Sequence, residues 1–155
     1  MIIDFHTHMY PDNVAPKALA NLLANNGVAP HTAGTKGALL TSMDCAGVDM
    51  SVVLPVANRM GQFPKLNDFA RDLTVSEPRI LSFGSVYHQE PQWREQIRYI
   101  KDIGLKGMKL HPDFQEFYFH EKRILDMVSY ALDRGLLVTV HAGVDPACLE
   151  LVHST

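Results

Sequence analysis

The segment "GLKGMKLHPDFQ", residues 104–115, contains a short apolar strand that begins shortly after a glycine and ends at a histidine. Strand side chains alternate, so Lys109 and His111 share one face while Met108 and Leu110 share the other. The apolar face suits a covering layer of helices, and the face with lysine and histidine suits an interior that opens into a polar site. The segment therefore predicts a strand of a β-α protein that ends at a functional site.

The same pattern recurs along the chain, from the second strand onward at intervals of about 30 residues, as expected for successive β-α units, and the first crossover is longer. The predicted strands are short, apolar and partly β-branched, as buried parallel strands tend to be; they are Ile2–His6, Met50–Val56, Ile80–Val86, Gly107–His111 and Leu136–His141. Helical patterns lie between them, at Pro16–Asn26, Lys36–Ala46, Asn67–Ser76, Gln92–Ile103 and Glu121–Arg134. This rhythm predicts a parallel sheet, either doubly wound or closed as a barrel.

The positions of the histidines favour the barrel. His6, His111 and His141 each end a predicted strand, and the active groups of a (β/α)8 barrel collect at that face. A doubly wound sheet more often has a glycine-rich phosphate loop after its first strand, where this chain has "THMYPD". The predicted fold class is therefore α/β, a (β/α)8 TIM-barrel type with the first five β-α units present. A complete barrel needs about 250 residues, so we expect residues 1–155 to form the N-terminal portion of a single barrel domain, with the barrel incomplete.

The composition is that of an ordinary globular domain, with 46% hydrophobic residues and a formal net charge of -3. That charge predicts neither a nucleic-acid nor a membrane partner. The cysteines, Cys45 and Cys148, do not predict a disulfide framework, and no apolar run approaches the ~20 residues that span a bilayer. We expect a cytoplasmic protein with a small-molecule substrate, in which homo-oligomer formation is one way to cover exposed strand edges.

The N-terminal segment "IIDFHTHMYPD", residues 2–12, predicts a metal site. Asp4, His6 and His8 share one face of an alternating strand, and His141 would add a third imidazole from another strand. Three protein ligands and an open position for water are common in catalytic zinc sites, where the pKa of that water falls to about 7. We expect a divalent metal, zinc before manganese. Asp4 either fixes the tautomer of a ligating imidazole or is a buried carboxylate satisfied by backbone amides.

Two more side chains are candidates for the same site. His111 is interpreted as a ligand, a proton shuttle or a substrate contact, against the alternative of a structural hydrogen bond. Lys109 is interpreted as the group that holds an anionic part of the substrate, against the alternative of a salt bridge inside the barrel.

Several of these segments resemble the metal-dependent amidohydrolase superfamily, in particular the amidohydrolase-2 branch that includes the aminocarboxymuconate-semialdehyde decarboxylase type. They are "DFHTH" at 4–8, "AGVDMSVVLPVAN" at 46–58, "ILSFGSVYHQEP" at 80–91, "GLKGMKLHPDFQ" at 104–115 and "LLVTVHAG" at 136–143. The resemblance implies that His6, His8 and His141 are metal ligands and that His111 lies close to the metal or the substrate. It implies a metal-dependent hydrolase that acts on a small carboxylate, lactone or amide through a metal-activated water.

The resemblance also implies a histidine after strand six and an aspartate after strand eight, positions that these 155 residues do not include, so we expect the chain alone to be a poor catalyst. Alternative functions are a metal-dependent decarboxylase on the same scaffold and a truncated, non-catalytic fragment or interaction module. Other Asp-x-His-x-His barrels, namely polymerase-and-histidinol-phosphatase-type phosphoesterases and TatD-like nucleases, also bind metals. The TatD type is expected to have a glutamate in its fourth strand, where this chain has "GMKLHP".

Overall fold

The computed structural model describes residues 1–27 and 29–141. Its strands are β1 (Ile3–Thr7), β2 (Met50–Val53), β3 (Ile80–Ser82), β4 (Gly84–Ser85), β5 (Gly107–Leu110) and β6 (Leu137–Val140). Its helices are α1 (Ala15–Asn26), α2 (Lys36–Ala46), α3 (Phe63–Ser76), α4 (Trp93–Asp102), α5 (Pro112–Gln115) and α6 (Lys122–Leu132). None of the helices in these ranges is long and apolar enough to cross a membrane.

The strands pair in parallel and in chain order, as the repeat predicts. They form two three-stranded sheets, β1-β2-β3 and β4-β5-β6. The predicted third strand is divided at Phe83, so that β3 pairs with β2 and β4 pairs with β5. The result is a mixed α/β fold with parallel sheets, consistent with part of a TIM-barrel type. The count of five β-α units and the incomplete barrel stay predictions.

The outer face of the second sheet packs against helices. Met108 and Leu110 of β5 are fully buried and belong to the same apolar cluster as residues of α4 and α6, among them Ile97, Ile100, Ile124 and Met127. This arrangement confirms that the Met108 and Leu110 face of β5 is the helix-facing side. Lys109 is thereby left on the opposite, inner face.

The inner face carries a small apolar cluster of Val52, Leu54 and Phe83. The Phe5 ring meets the Phe83 ring edge to face, with centroids 5.8 Å apart. A Cβ atom on Gly107 would lie 2.5 Å from the Phe83 ring and 2.7 Å from the Leu137 carbonyl oxygen, so only glycine fits there. These side chains form an apolar inner layer of the sheet.

Candidate metal and substrate site

Four histidines lie at the carboxyl ends of three parallel strands. His6 is within β1 and His8 follows it, while His111 and His141 each follow directly after β5 and β6. The end of β1 is fixed to β2, because the hydroxyl of Thr7 donates to the Val52 carbonyl at 2.9 Å. Parallel pairing brings these three strand ends to one edge of the structure.

The imidazole rings form one continuous cluster. The ring centroid of His6 lies 5.1 Å from that of His8 and 6.3 Å from that of His141. His141 in turn stacks on His111, with centroids 4.2 Å apart and ring planes 9° from parallel. The fold therefore brings together the three histidines predicted as metal ligands and the histidine predicted to lie beside them.

A bulge in β1 shapes the first part of this cluster. Asp4 is paired with Ser51 and Thr7 with Val53, so β1 has one residue more than β2 between these pairs. The extra residue interrupts strict alternation, which is why Phe5 contacts Phe83 on the inner face. The shared face predicted for Asp4, His6 and His8 therefore does not follow from alternation alone, although the two rings are close.

The pKa values of His6, His8 and His111 are lowered, which favours the neutral form of these three rings. Burial, with the positive charge of Lys109 next in importance, lowers the pKa of His6 below its ordinary value, and Asp4 opposes this shift. Burial also lowers the pKa of His8, against a hydrogen bond between its ring and the Leu54 backbone. Burial and the neighbouring His141 lower the pKa of His111 to about 3. Neutral imidazole is the form that binds metals.

The donor set fits a divalent metal in type and in proximity, but its rings do not converge in this conformation. Within residues 1–27 and 29–141, no group of three or more His, Cys, Asp or Glu side chains is arranged to hold a metal ion. The parallel stack of His111 and His141 explains part of this arrangement, because stacked rings direct their edges side by side and not toward one point. His6, His8 and His141 therefore do not surround one point in the arrangement that the structure describes.

Lys109 is a buried cation beside these rings. Its side chain is fully buried, and its Nζ has no hydrogen-bond partner among the residues that the structure describes. The predicted alternative of a salt bridge inside the barrel is not found in that part of the chain. Burial lowers the pKa of Lys109 to about 8, so in most molecules this side chain is a charged ammonium at pH 7. An unpaired buried charge is costly, and a bound anion would relieve that cost.

Asp4 contacts backbone at this end of β1. Its Oδ1 accepts a hydrogen bond from the backbone N–H of His6 at 3.1 Å, and the residue is exposed. The second interpretation of Asp4 was a buried carboxylate satisfied by backbone amides. The backbone contact is present, but the carboxylate is not buried. A role in orienting a ligating imidazole stays a prediction.

Sequence reasoning missed the short helix α5 and two of its side chains, Phe114 and Gln115. His111 is the N-cap of α5, and its Nδ1 accepts from the Phe114 N–H at 3.4 Å. The Phe114 ring stacks on His111 with centroids 4.1 Å apart. The sequence feature that could have predicted this helix was Pro112, because proline is favoured at the first helical position and marks the preceding residue as a cap.

The remaining histidines of this region lie outside the cluster. The His88 side chain is buried against Phe117, with ring centroids 5.4 Å apart, and His31 and His120 are exposed. His153 and Cys148 lie outside the described residues.

Solved structures share this fold at low sequence identity. A 5-carboxyvanillate decarboxylase from Novosphingobium aromaticivorans DSM 12444, complexed with manganese and 4-hydroxy-3-methoxy-5-nitrobenzoic acid, matches with a TM-score of 0.67 and 16% identity, over 96% of this chain and 52% of that one. A Staphylococcus aureus protein described as an amidohydrolase matches with a TM-score of 0.67 and 18% identity, over 95% and 49%. An Acinetobacter baumannii protein described as a 2-pyrone-4,6-dicarboxylic acid hydrolase, with citric acid bound, matches with a TM-score of 0.56 and 15% identity, over 91% and 49%.

One of these structural neighbours is described as an amidohydrolase, and the others as a decarboxylase and a hydrolase. The chain has their fold. It spans about half the length of the structures it matches, so the likeness concerns that half and confirms the resemblance predicted from the sequence at the level of fold. No protein-family model matches the sequence, and no curated protein does.

Proposed function

We propose that this chain is the N-terminal portion of a metal-dependent hydrolase of the amidohydrolase type, acting on a small carboxylate, lactone or amide. The observation that carries the proposal is the cluster of imidazoles at the strand ends, next to a buried ammonium group for which residues 1–27 and 29–141 offer no counter-ion. Such a combination of metal-ligand side chains and shifted pKa values is typical of an active site.

His6, His8 and His141 would hold the metal. A bound divalent metal supplies a Lewis acid and an acidified water at neutral pH. Imidazole nitrogens suit zinc, and a structural neighbour complexed with manganese supports a divalent ion more generally. The three rings come from two strands that lie apart in the sequence, so the site depends on the folded sheet.

Lys109 and His111 would bind the substrate. The Lys109 ammonium lies on the inner face and has no hydrogen-bond partner within the described part of the chain, so it is suited to hold a carboxylate. His111 stays neutral at pH 7, because its pKa is about 3, and a neutral imidazole donates through one nitrogen while it accepts through the other. A base of that pKa removes protons poorly at neutral pH, so His111 is better suited to hydrogen bond a substrate oxygen than to accept its proton.

The proposal is tested by assaying the metal-loaded chain, extended by about 100 residues to complete a barrel, against matched carboxylate, lactone and amide substrates. His111→Phe keeps an aromatic ring and removes both ring nitrogens, so it is expected to lower kcat by about 10²-fold, as loss of one positioned donor does. Lys109→Met is expected to raise KM for carboxylate substrates and to leave neutral lactones unchanged. Equal kinetics of wild type and the His6→Ala, His8→Ala double variant would contradict the proposal.

Decarboxylation on the same scaffold is the second candidate, because one structural neighbour is a 5-carboxyvanillate decarboxylase. The two reactions differ in their products. Release of CO2 without hydrolytic product would replace the hydrolase proposal with the decarboxylase, whereas acid release without CO2 would support hydrolysis.

A further inference from the structure

The buried side chain of Gln115 connects three β-α units at their strand ends. Its amide nitrogen donates to the carbonyl oxygen of Ala57 at 2.6 Å and to that of Val86 at 2.9 Å. Its amide oxygen accepts from the backbone N–H of His111 at 2.9 Å. Two carbonyl acceptors and one N–H donor fix which end of the amide is which. Ala57 follows β2, Val86 follows β4 and His111 follows β5.

The loop at Ala57 is held from two sides. Its carbonyl oxygen is bound by Gln115, and its N–H donates to the Ser85 hydroxyl oxygen at 3.0 Å. The same Ser85 hydroxyl donates to the Lys109 carbonyl oxygen at 3.0 Å. Gln115 and Ser85 therefore fix the backbone on both sides of the inner-face residues Lys109 and His111, in a buried network whose members are all hydrogen bonded.

The His111 ring is held by a further set of contacts. Its Nδ1 accepts from the Phe114 N–H, and the ring lies between the parallel rings of Phe114 and His141. A neutral imidazole that accepts through Nδ1 carries its proton on Nε2. The backbone of the same residue is fixed by Gln115, so the placement of the ring depends on both anchors.

We propose that Gln115 is a positioning residue, which holds His111 as the Nε2–H tautomer and so keeps that N–H available as a hydrogen-bond donor to a substrate oxygen. Its importance for catalysis rests on the proposed function, whereas the positioning itself is a property of the folded chain. Donors that are fixed in advance cost no reorganisation during reaction, and misplacement by 1 Å can lower a rate by about 10²-fold.

The test is nitrogen-15 NMR of the metal-free protein in the presence of a chelator. In wild type, the ring nitrogens of His111 are expected to show the Nε2–H tautomer, and its backbone amide is expected to exchange slowly. Gln115→Met keeps the length and removes all three hydrogen bonds. This variant is expected to give mixed tautomers and amide exchange at least ~10-fold faster, because the amide then opens without its acceptor.

The matched control is Gln96→Met. The Oε1 of Gln96 is buried without a hydrogen-bond partner within the described part of the chain, so the same substitution there should leave both His111 signals unchanged. A folded Gln115→Met variant that keeps the wild-type His111 tautomer and amide exchange rate would overturn the proposal. If Gln115 had only a structural role, its replacement would lower stability without changing the tautomer of the His111 ring.

Two measurements decide the matter if Gln115→Met does not fold. An Nδ1–H tautomer in wild type would overturn the proposal directly. Fast exchange of the His111 backbone amide in wild type would also contradict the proposal, since that amide would then lack the Gln115 hydrogen bond. Failure of the proposed function would give a different result. The His111 signals would then be those predicted here, but the protein would not turn substrate over.

Discussion

At the scale of single residues, Lys109 shows how a candidate site lowers stability. Its pKa is about 8 in the folded chain, below the ordinary 10.5. The unfolded chain therefore binds the proton more tightly, and stability falls as the pH decreases from 10.5 to 8, with the full penalty present below 8. The buried ammonium near the imidazoles thus makes the site costly in the absence of a ligand.

Lys109→Met is expected to raise the free energy of unfolding by about 1–3 kcal/mol at pH 7, because an apolar side chain of similar length replaces a buried charge that no described residue pairs. The gain should shrink above pH 8. Urea unfolding at pH 7 and pH 10 measures it. The exposed Lys106→Met serves as control and should change stability by less than about 0.5 kcal/mol. A destabilised Lys109→Met protein at pH 7 would mean that the ammonium has a stabilising partner.

His111 should make the protein sensitive to acid. Its folded-state pKa is about 3 and its ordinary value is 6.5. Between these values the unfolded chain binds a proton that the folded chain does not, so stability falls as the pH decreases from 6.5 toward 3, by up to about 1.4 kcal/mol per pH unit. His111→Asn keeps a good N-cap and should flatten this limb of the stability profile, whereas the exposed His31→Asn should not. An unchanged acid limb in His111→Asn would show that other groups cause it.

At the scale of elements, Gly107 allows β5 to lie close to the inner aromatic layer. Gly107→Ala would place a Cβ against the Phe83 ring and the Leu137 carbonyl oxygen. We expect a loss of about 1–3 kcal/mol, because the backbone carbonyl cannot move aside as a side chain can. Gly37→Ala in α2 meets no atom within 4 Å and should stabilise the protein slightly. Thermal unfolding compares the two variants, and equal melting temperatures would contradict the close packing.

The elements also show how far the sequence predicts this structure. Alternation in "GMKLH" places Met108 and Leu110 toward the helices and Lys109 toward the interior, because strand geometry fixes these faces. The division of the third strand at Phe83 and the bulge in β1 were not predicted, since both depend on how neighbouring strands pair. The helix α5 was missed because its four residues are too short to show a helical period.

At the scale of the whole molecule, the edge strands β1 and β6 each pair on one side only within the described residues. Ile3 on β1 is 44% exposed and Leu137 on β6 is 55% exposed. If the chain is part of a barrel, as proposed, an extension by about 100 residues should cover these edges. The extended chain should unfold with a larger denaturant m-value and turn substrate over much faster. Equal turnover by the 155-residue chain would show that further strands are dispensable.

Metal binding by His6, His8 and His141 is the central claim, and titration calorimetry of the metal-free protein with zinc and with manganese tests it most directly. Wild type is expected to bind close to one equivalent of at least one ion. The His6→Ala, His8→Ala double variant and His141→Ala should lose this binding, because three imidazoles are needed for a stable site, whereas His31→Ala should bind as wild type does. Wild-type protein that binds neither ion, or variants that bind it as tightly as wild type, would contradict the account.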